Sequence, residues 1–224
     1  MTEYSKFHYT IFLDMDGVLA DFDRSIEEND FLRSLRESTK FLASNLRKKI
    51  NENKVYGEDW HFKDLGTILK GPQTDADLDR LKRKFHFTKS KTFQFASEPG
   101  FFINLNKMVD ADDLVYEVTK LSNGKLPHIL SSPLESSKTC IEEKREWIHR
   151  NYGGKVDQVF IEKNKAKYST LCLGNGIIDL RNRNILIDDT PKKIREFIEA
   201  GGIGILHTSA ESSLTELKKI INQD

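Results

Sequence analysis

Two aspartates one residue apart stand in Asp14-Met15-Asp16-Gly17-Val18, directly behind the apolar run Tyr9-Thr10-Ile11-Phe12-Leu13. Alternate side chains of an extended chain share a side, so both carboxylates lean into one small volume at a strand's carboxyl end. Like charges that close resist joint ionisation unless a cation lies between them or one keeps a proton. The pair therefore suits cation binding or proton transfer. Gly17 lets the chain leave the strand in a backbone conformation closed to other residues. Asp-x-Asp-Gly also occurs in calcium loops and in plain turns. A calcium hand needs a glutamate at its twelfth position, and counting from Asp14 that position is Ser25. The plain turn is the competing reading of this motif alone.

Two further apolar runs end in groups of the same kind. His128-Ile129-Leu130 leads into Ser131-Ser132-Pro133, and Ile185-Leu186-Ile187 leads into Asp188-Asp189-Thr190. In a parallel sheet these ends converge on the edge where open α/β folds collect ligands. Carboxylate oxygens of Asp14 and Asp188, with water and a phosphate oxygen, suit octahedral Mg²⁺, and the lack of clustered His or Cys argues against zinc.

The elements that must position these groups follow from apolar patterning. Strands are expected at His8 to Leu13, Leu126 to Leu130, Asp157 to Ile161, Asn184 to Ile187 and Ile203 to Leu206, alternating in the second half with helical patterns. That alternation predicts the α/β class: a Rossmann-like parallel sheet with helices on both faces. Thr190 is expected to cap a helix opening at Pro191, with Ile194, Phe197 and Ile198 in the core and a stop at Gly201. Ser213 and Glu216 read as a capping box ahead of Leu214, Leu217, Ile220 and Ile221.

Residues 24–95 differ. Helical spacing recurs in Phe31, Leu32, Leu35, in Phe41, Leu42, Leu46, Ile50, and in Leu78, Leu81, Phe85, with no convincing strand between them. The span from Asp14 to Ser131 far exceeds the few tens of residues that a crossover needs. We therefore expect a helical cap inserted at 24–95 in a core made of 1–23 and 96–224. The cap also holds Trp60, Phe62, Phe93 and Phe95.

Composition narrows the class. The 224 residues carry 35 Lys+Arg against 35 Asp+Glu, which removes the basic footprint of duplex nucleic-acid binders. A chain of this length buries roughly 70% of its unfolded surface and needs no metal or disulfide to fold. Cys140 and Cys172 are too few and too far apart for a disulfide framework or thiolate zinc site and read as small buried hydrophobes of a reducing compartment. No apolar stretch approaches the roughly 18 residues of a membrane span, and the N-terminus has no signal-peptide pattern, so we expect no membrane association and a cytoplasmic location.

Asp14-Met15-Asp16-Gly17-Val18-Leu19-Ala20-Asp21-Phe22 resembles the first motif of the haloacid dehalogenase-like phosphohydrolases, most closely that of the 5′(3′)-deoxyribonucleotidases. Pro99-Gly100-Phe101-Phe102, Ser131-Ser132-Pro133, Glu143-Lys144-Arg145-Glu146-Trp147 and Leu186-Ile187-Asp188-Asp189 resemble segments of that family in the same order. The resemblance implies that Asp14 is a nucleophile forming an aspartyl-phosphate, and Asp16 an acid and then a base that also reaches the metal through its backbone carbonyl. It implies an Mg²⁺ site of Asp14, Asp16, Asp188 and Asp189, with Met15, Ser131 and the N–H of Ser132 on the phosphate side. Of the lysines in Lys163-Asn164-Lys165-Ala166-Lys167, Lys165 aligns best as the phosphate's cation, and Lys144 is a second candidate. A charge run is more often a solvated face, and an exposed helix lysine is the alternative for Lys144. Phe22 matches an aromatic that contacts the base, with Phe101 or Phe102 nearby, although an aromatic in a chain with 14 Phe is commonly core. The partner implied is a small-molecule nucleotide, and a homodimer is an allowed assembly. Two other readings stay open: a phosphatase or phosphotransferase for another ester, such as a nucleic-acid 3′-phosphate or a metabolite, and a catalytically silent binding module.

Overall fold

The computed structural model describes residues 8–46, 69, 76–170 and 182–222. Among them, strands β1 (His8–Leu13), β2 (His128–Ser131), β3 (Val159–Ile161), β4 (Asn182–Asp188) and β5 (Ile203–Leu206) form one sheet in the order β3-β2-β1-β4-β5. Every neighbouring pair is parallel. The helices are α1 (Phe22–Glu27), α2 (Asp30–Asn45), α3 (Ala76–Ala96), α4 (Ala111–Leu121), α5 (Cys140–Tyr152), α6 (Pro191–Glu199) and α7 (Ala210–Asn222).

Strand side chains alternate between two apolar layers. Ile11, Leu13, Ile129, Ile185, Ile187 and Ile205 join a cluster with residues of α4, α5 and α7, whereas Phe12, Leu130 and Leu186 pack with Tyr168 and with Ile194 and Phe197 of α6. Burial on both faces is why these strands read as nearly continuous apolar runs. β1 and β5 have the expected limits. β2 begins two residues later than expected, because Pro127 has no N–H to donate and Leu126 stays exposed. β3 also begins two residues late, at Val159 opposite Ile129. β4 is longer than expected because it pairs with β1 along its whole length, from His8 opposite Asn182 to Leu13 opposite Ile187.

Three local expectations are corrected. Thr190 precedes α6, but its hydroxyl donates to Asp189 Oδ1 at 3.1 Å instead of capping the helix. Ile198 is half exposed, lying over Gly204 of the edge strand β5 with its outer side open. α7 starts three residues before Ser213, with Ser209 Oγ accepting from Ser212 N at 3.1 Å and Asp110 Oδ2 from Ala210 N at 2.6 Å. Ser213 is instead buried inside the helix, its hydroxyl 2.9 Å from His207 Nδ1.

The chain divides into two compact units, residues 1–23 with 99–224, and residues 24–98. In the second unit α2 and α3 pack through Ala43, Leu46, Leu81 and Phe85 together with Leu69, and the Thr39 and Thr88 hydroxyls lie 3.0 Å apart. The buried stripe of α2 is Leu32, Arg36, Thr39 and Ala43, and Phe31 and Phe41, two of the residues at helical spacing, are 58% and 70% exposed. Ile50, Trp60, Phe62 and Cys172 lie outside the described residues. Cys140 is buried, as expected, and its Sγ accepts from Leu134 N at 3.2 Å.

Candidate active site

From β1 the sheet continues to β2 on one side and to β4 on the other. Chain order reverses there, which opens a crevice at the carboxyl ends of β1 and β4. Asp14 leaves β1 with its N–H donating to Ile187 O at 2.9 Å, and the last residue of β4 is Asp188. The β ladder thus sets two carboxylates side by side. Lys165, in the 3-10 turn Lys165–Tyr168 after β3, lies between them. Its buried Nζ donates to Asp188 Oδ2 at 2.6 Å and lies 2.9 Å from Asp14 Oδ1. Asp14 Oδ1 also accepts from Met15 N at 2.7 Å, and Asp188 Oδ1 from Thr190 N at 2.7 Å.

Burial pushes the carboxyl of Asp188 above the usual carboxylate range, and the Asp14 charge adds to this against the pull of Lys165. For Lys165 burial acts downward, but Asp14 and Asp188 outweigh it and raise the ammonium above its ordinary value. One carboxylate oxygen from each of Asp14, Asp188 and Asp189 lies within 4.8 Å of the others. This all-oxygen group suits a hard divalent cation.

Asp16 faces a different lysine. Behind β1 the chain turns back sharply, with Leu19 N and Ala20 N both donating to Met15 O at 2.8 Å and Gly17 N donating to Ala20 O at 2.9 Å. Gly17 has φ +75, and a Cβ there would lie 2.5 Å from Asp189 Oδ2. Gly17→Ala is therefore expected to lower stability by about 1–3 kcal/mol, since backbone strain and displacement of Asp189 act together. An unaltered urea midpoint would show that the turn tolerates a side chain.

After the turn, Asp16 Oδ2 accepts from Lys144 Nζ at 2.5 Å. Lys144 is wholly buried and also donates to Ser131 Oγ at 3.0 Å and Ser132 O at 2.8 Å. The Phe102 ring centroid lies 4.9 Å from the ammonium. Asp16 is partly exposed, yet its Oδ1 is shut away from solvent with no hydrogen-bond partner among the described residues. Burial raises the Asp16 carboxyl above its ordinary value, with Lys144 opposing and Asp14 reinforcing the shift. The preceding residue on α5, Glu143, accepts from Gly100 N at 2.7 Å, Phe102 N at 3.0 Å and Ile103 N at 3.4 Å. Burial acts upward on Glu143, but these donors win and hold its carboxyl low.

Two adjoining groups result. Asp14, Lys165, Asp188 and Asp189 form one, and Asp16, Ser131, Ser132 and Lys144 the other. The Asp14 and Asp16 side chains are each paired with their own lysine. The surface reading of Lys144 is overturned by its burial. Lys163 and Lys167 pair with Glu135 and Glu162 on the outside, which leaves Lys165 as the inward member of the run. The Met15 side chain is buried in the core, so only its main chain borders the turn. The Phe22 ring meets Phe101 edge-on at 5.3 Å and lies 6.3 Å from Phe102. The tie made by Glu143 went unread in the sequence. Its signal was an acidic residue beside Lys144, one helical turn before the buried Trp147, whose Nε1 donates to Leu105 O at 2.7 Å.

Comparison with known proteins supplies relatives of this arrangement. The cytosolic-type 5′(3′)-deoxyribonucleotidase of Homo sapiens is 30% identical over 182 residues, covering 81% of this chain and 75% of the relative. The mitochondrial 5′(3′)-deoxyribonucleotidases of Homo sapiens and Mus musculus are 25% and 24% identical over 185 residues, again 81% of this chain. The chain spans only 62% and 64% of those two relatives' lengths. A haloacid dehalogenase-like family hydrolase from Xanthomonas campestris superimposes with a TM-score of 0.51 at 11% identity, covering 100% of this chain and 96% of the other, a likeness of fold. No protein-family model matches the chain.

Proposed function

Because the chain belongs to the 5′(3′)-deoxyribonucleotidase family, of haloacid dehalogenase-like fold, we propose that it is a phosphomonoesterase that dephosphorylates deoxynucleoside monophosphates. The observation that carries the reading is the buried Lys165 held between Asp14 and Asp188 at the strand-order switch. A nucleophile, a cation and a second carboxylate are thereby in place before substrate arrives, as phosphoryl transfer demands.

Asp14 attacks phosphorus and forms an aspartyl-phosphate, while Asp16 gives a proton to the leaving oxygen and later takes one from water. Lys165 directs two donors at Asp14 and Asp188 and keeps its third for a phosphoryl oxygen. Ser131 and the N–H of Ser132 complete the phosphate cradle. Asp14, Asp188 and Asp189 would hold Mg²⁺, with the Asp16 backbone carbonyl as the resemblance implies. When bound, that ion offsets phosphate charge and orients it. Residues 24–98, inserted between β1 and β2, are assigned the role of cap, and Phe22 that of an aromatic beside the base. No helix among the described residues is long and apolar enough to cross a membrane. We place the activity in the cytoplasm, a reading supported by the cytosolic-type relative.

The test is phosphate release from a panel of deoxynucleoside 5′- and 3′-monophosphates, ribonucleotides and non-nucleotide esters, with and without EDTA. Deoxynucleotides should be preferred, and chelation should abolish turnover until Mg²⁺ is restored. Preference for a sugar phosphate would overturn the substrate, and full activity in EDTA would overturn the metal.

A further inference from the structure

α3 departs from the charge balance of the chain. It carries six Lys or Arg against two Asp, and both aspartates lie in its first turn, so residues 80–96 bear cations alone. α2, α4, α5, α6 and α7 each hold a cation paired with a carboxylate three or four residues away, as Arg33 with Asp30 and Arg150 with Glu146. On α3, Arg80, Arg83, Lys84, Lys89 and Lys91 have no such carboxylate among the described residues, and Lys91 donates to the uncharged Gln94 Oε1 at 3.1 Å. Like charges three and four residues apart, Arg80 with Arg83 and with Lys84, weaken a helix on its own. An anion from outside turns that repulsion into attraction.

Spacing arranges part of this charge in a row. α3 buries Leu81, Phe85, Thr88 and Thr92, and one residue before each of them stand Arg80, Lys84, Phe87 and Lys91. These four share one side of the helix over roughly 16 Å. Arg80 is exposed, Lys84 and Lys91 are partly so, and the Phe87 side chain between them is 49% exposed. Lys91 Nζ lies 5.9 Å from the Phe87 ring centroid. An open aromatic ring set among cations is what a single strand requires, because bases stack on the ring while phosphates meet the charges. The second exposed ring, Phe93, has Lys89 Nζ 5.3 Å from its centroid and stands about 120° round the axis from Phe87. Rings so far apart form no continuous apolar face of the kind that lies on a membrane.

We propose that the row Arg80, Lys84, Phe87 and Lys91 of α3 binds single-stranded nucleic acid, with the cations on backbone phosphates and Phe87 against a base. This goes beyond the phosphomonoesterase reading and does not depend on it. The balanced charge of the whole chain denies it the broad basic field of duplex binders, whereas a row of three cations serves a few nucleotides of one strand.

The probe is a fluorescein-labelled oligothymidylate of twenty nucleotides with hydroxyl ends, which offers no terminal phosphate ester, titrated with the full chain and read by anisotropy. Binding should be measurable at micromolar protein in about 50 mM salt and should weaken with a log–log salt slope of roughly −2, from three cations at about −0.7 each. Arg80→Gln, Lys84→Gln and Lys91→Gln combined should weaken it roughly 10-fold or more, and Lys84→Gln alone should flatten the slope by about 0.7. Phe87→Ala should weaken it roughly 5-fold or more, yet leave binding of inorganic polyphosphate, which has the charge and no bases, unchanged. If the triple variant loses its thermal transition, the Lys84→Gln slope and the Phe87→Ala comparison decide. No binding by the unmodified chain in about 50 mM salt would overturn the proposal, as would row variants that bind like the parent. Equal effects of Phe87→Ala on both polyanions would overturn it too, because the row would then recognise charge alone. Tighter binding to a duplex of the same length, or to phosphatidylserine vesicles in place of the oligonucleotide, would assign the face to another partner.

Discussion

Asp14→Asn is expected to reduce turnover of every phosphomonoester by roughly 10⁴-fold or more while the protein stays folded. The amide matches the carboxylate in shape and can still accept from Met15 N, which Asp14 Oδ1 does at 2.7 Å. What it lacks is a nucleophilic oxygen, so no aspartyl-phosphate can form. The substitution also lifts the repulsion that Asp14 exerts on Asp188, while Lys165 keeps Asp188 as a partner at 2.6 Å. Stability should accordingly stay within about 1 kcal/mol of the parent. Single-turnover phosphate release, with acid-quenched protein assayed for bound phosphate, measures the effect. Magnesium-dependent turnover surviving in the variant would disqualify Asp14 as nucleophile.

Lys165→Met should damage both the fold and the chemistry. It leaves Asp14 and the wholly buried Asp188 facing one another without their cation. Breaking a buried pair by removing one partner costs about 3–5 kcal/mol. Loss of a preorganised cation at the phosphate lowers kcat by a further factor of roughly 10²–10³. The stability loss carries a pH signature. Asp188 already titrates above the ordinary carboxylate range because it is buried and lies near Asp14, and without Lys165 it rises further. A carboxyl whose folded pKa exceeds its unfolded value, about 4, contributes stability that is complete below that value and lost as pH climbs through the folded pKa. The variant's deficit should be small near pH 4 and should grow as pH rises toward neutrality. Urea midpoints across that interval measure it, and a deficit independent of pH would contradict the arrangement.

The reach of sequence reasoning differed sharply between the core and the inserted unit. Ile11, Phe12 and Leu13 are apolar on both sides of the strand because layers cover both faces, and such runs are hard to mistake. Asp14, Ser131 and Asp188 were legible because each stands where an apolar run stops, which in a parallel sheet is the functional edge. What was hidden depends on side chains reaching across the fold. Nothing local says that Lys144 points inward while Lys163 and Lys167 point outward. The difference lies in which lysine meets Asp16 and Ser131 and which meets Glu135 or Glu162. The Ser213 capping box failed for the same reason, since Asp110 supplies the α7 acceptor from 100 residues away. In α2 helical spacing alone does not pick out the buried stripe, because Phe31 and Phe41 are large yet exposed, and two threonine hydroxyls, Thr39 and Thr88, fill the contact instead.

β1 borders both β2 and β4, so Asp14 directly follows a strand that must be joined on each side. Ser131 comes with the one neighbour and Asp188 with the other, from positions more than fifty residues apart. No fragment lacking either pairing brings these groups together, and such long-range pairings form slowly compared with local helical contacts. During refolding from denaturant, helical ellipticity should therefore return ahead of enzymatic competence. Catalysis then serves as a stopwatch for the moment when β4 joins β1.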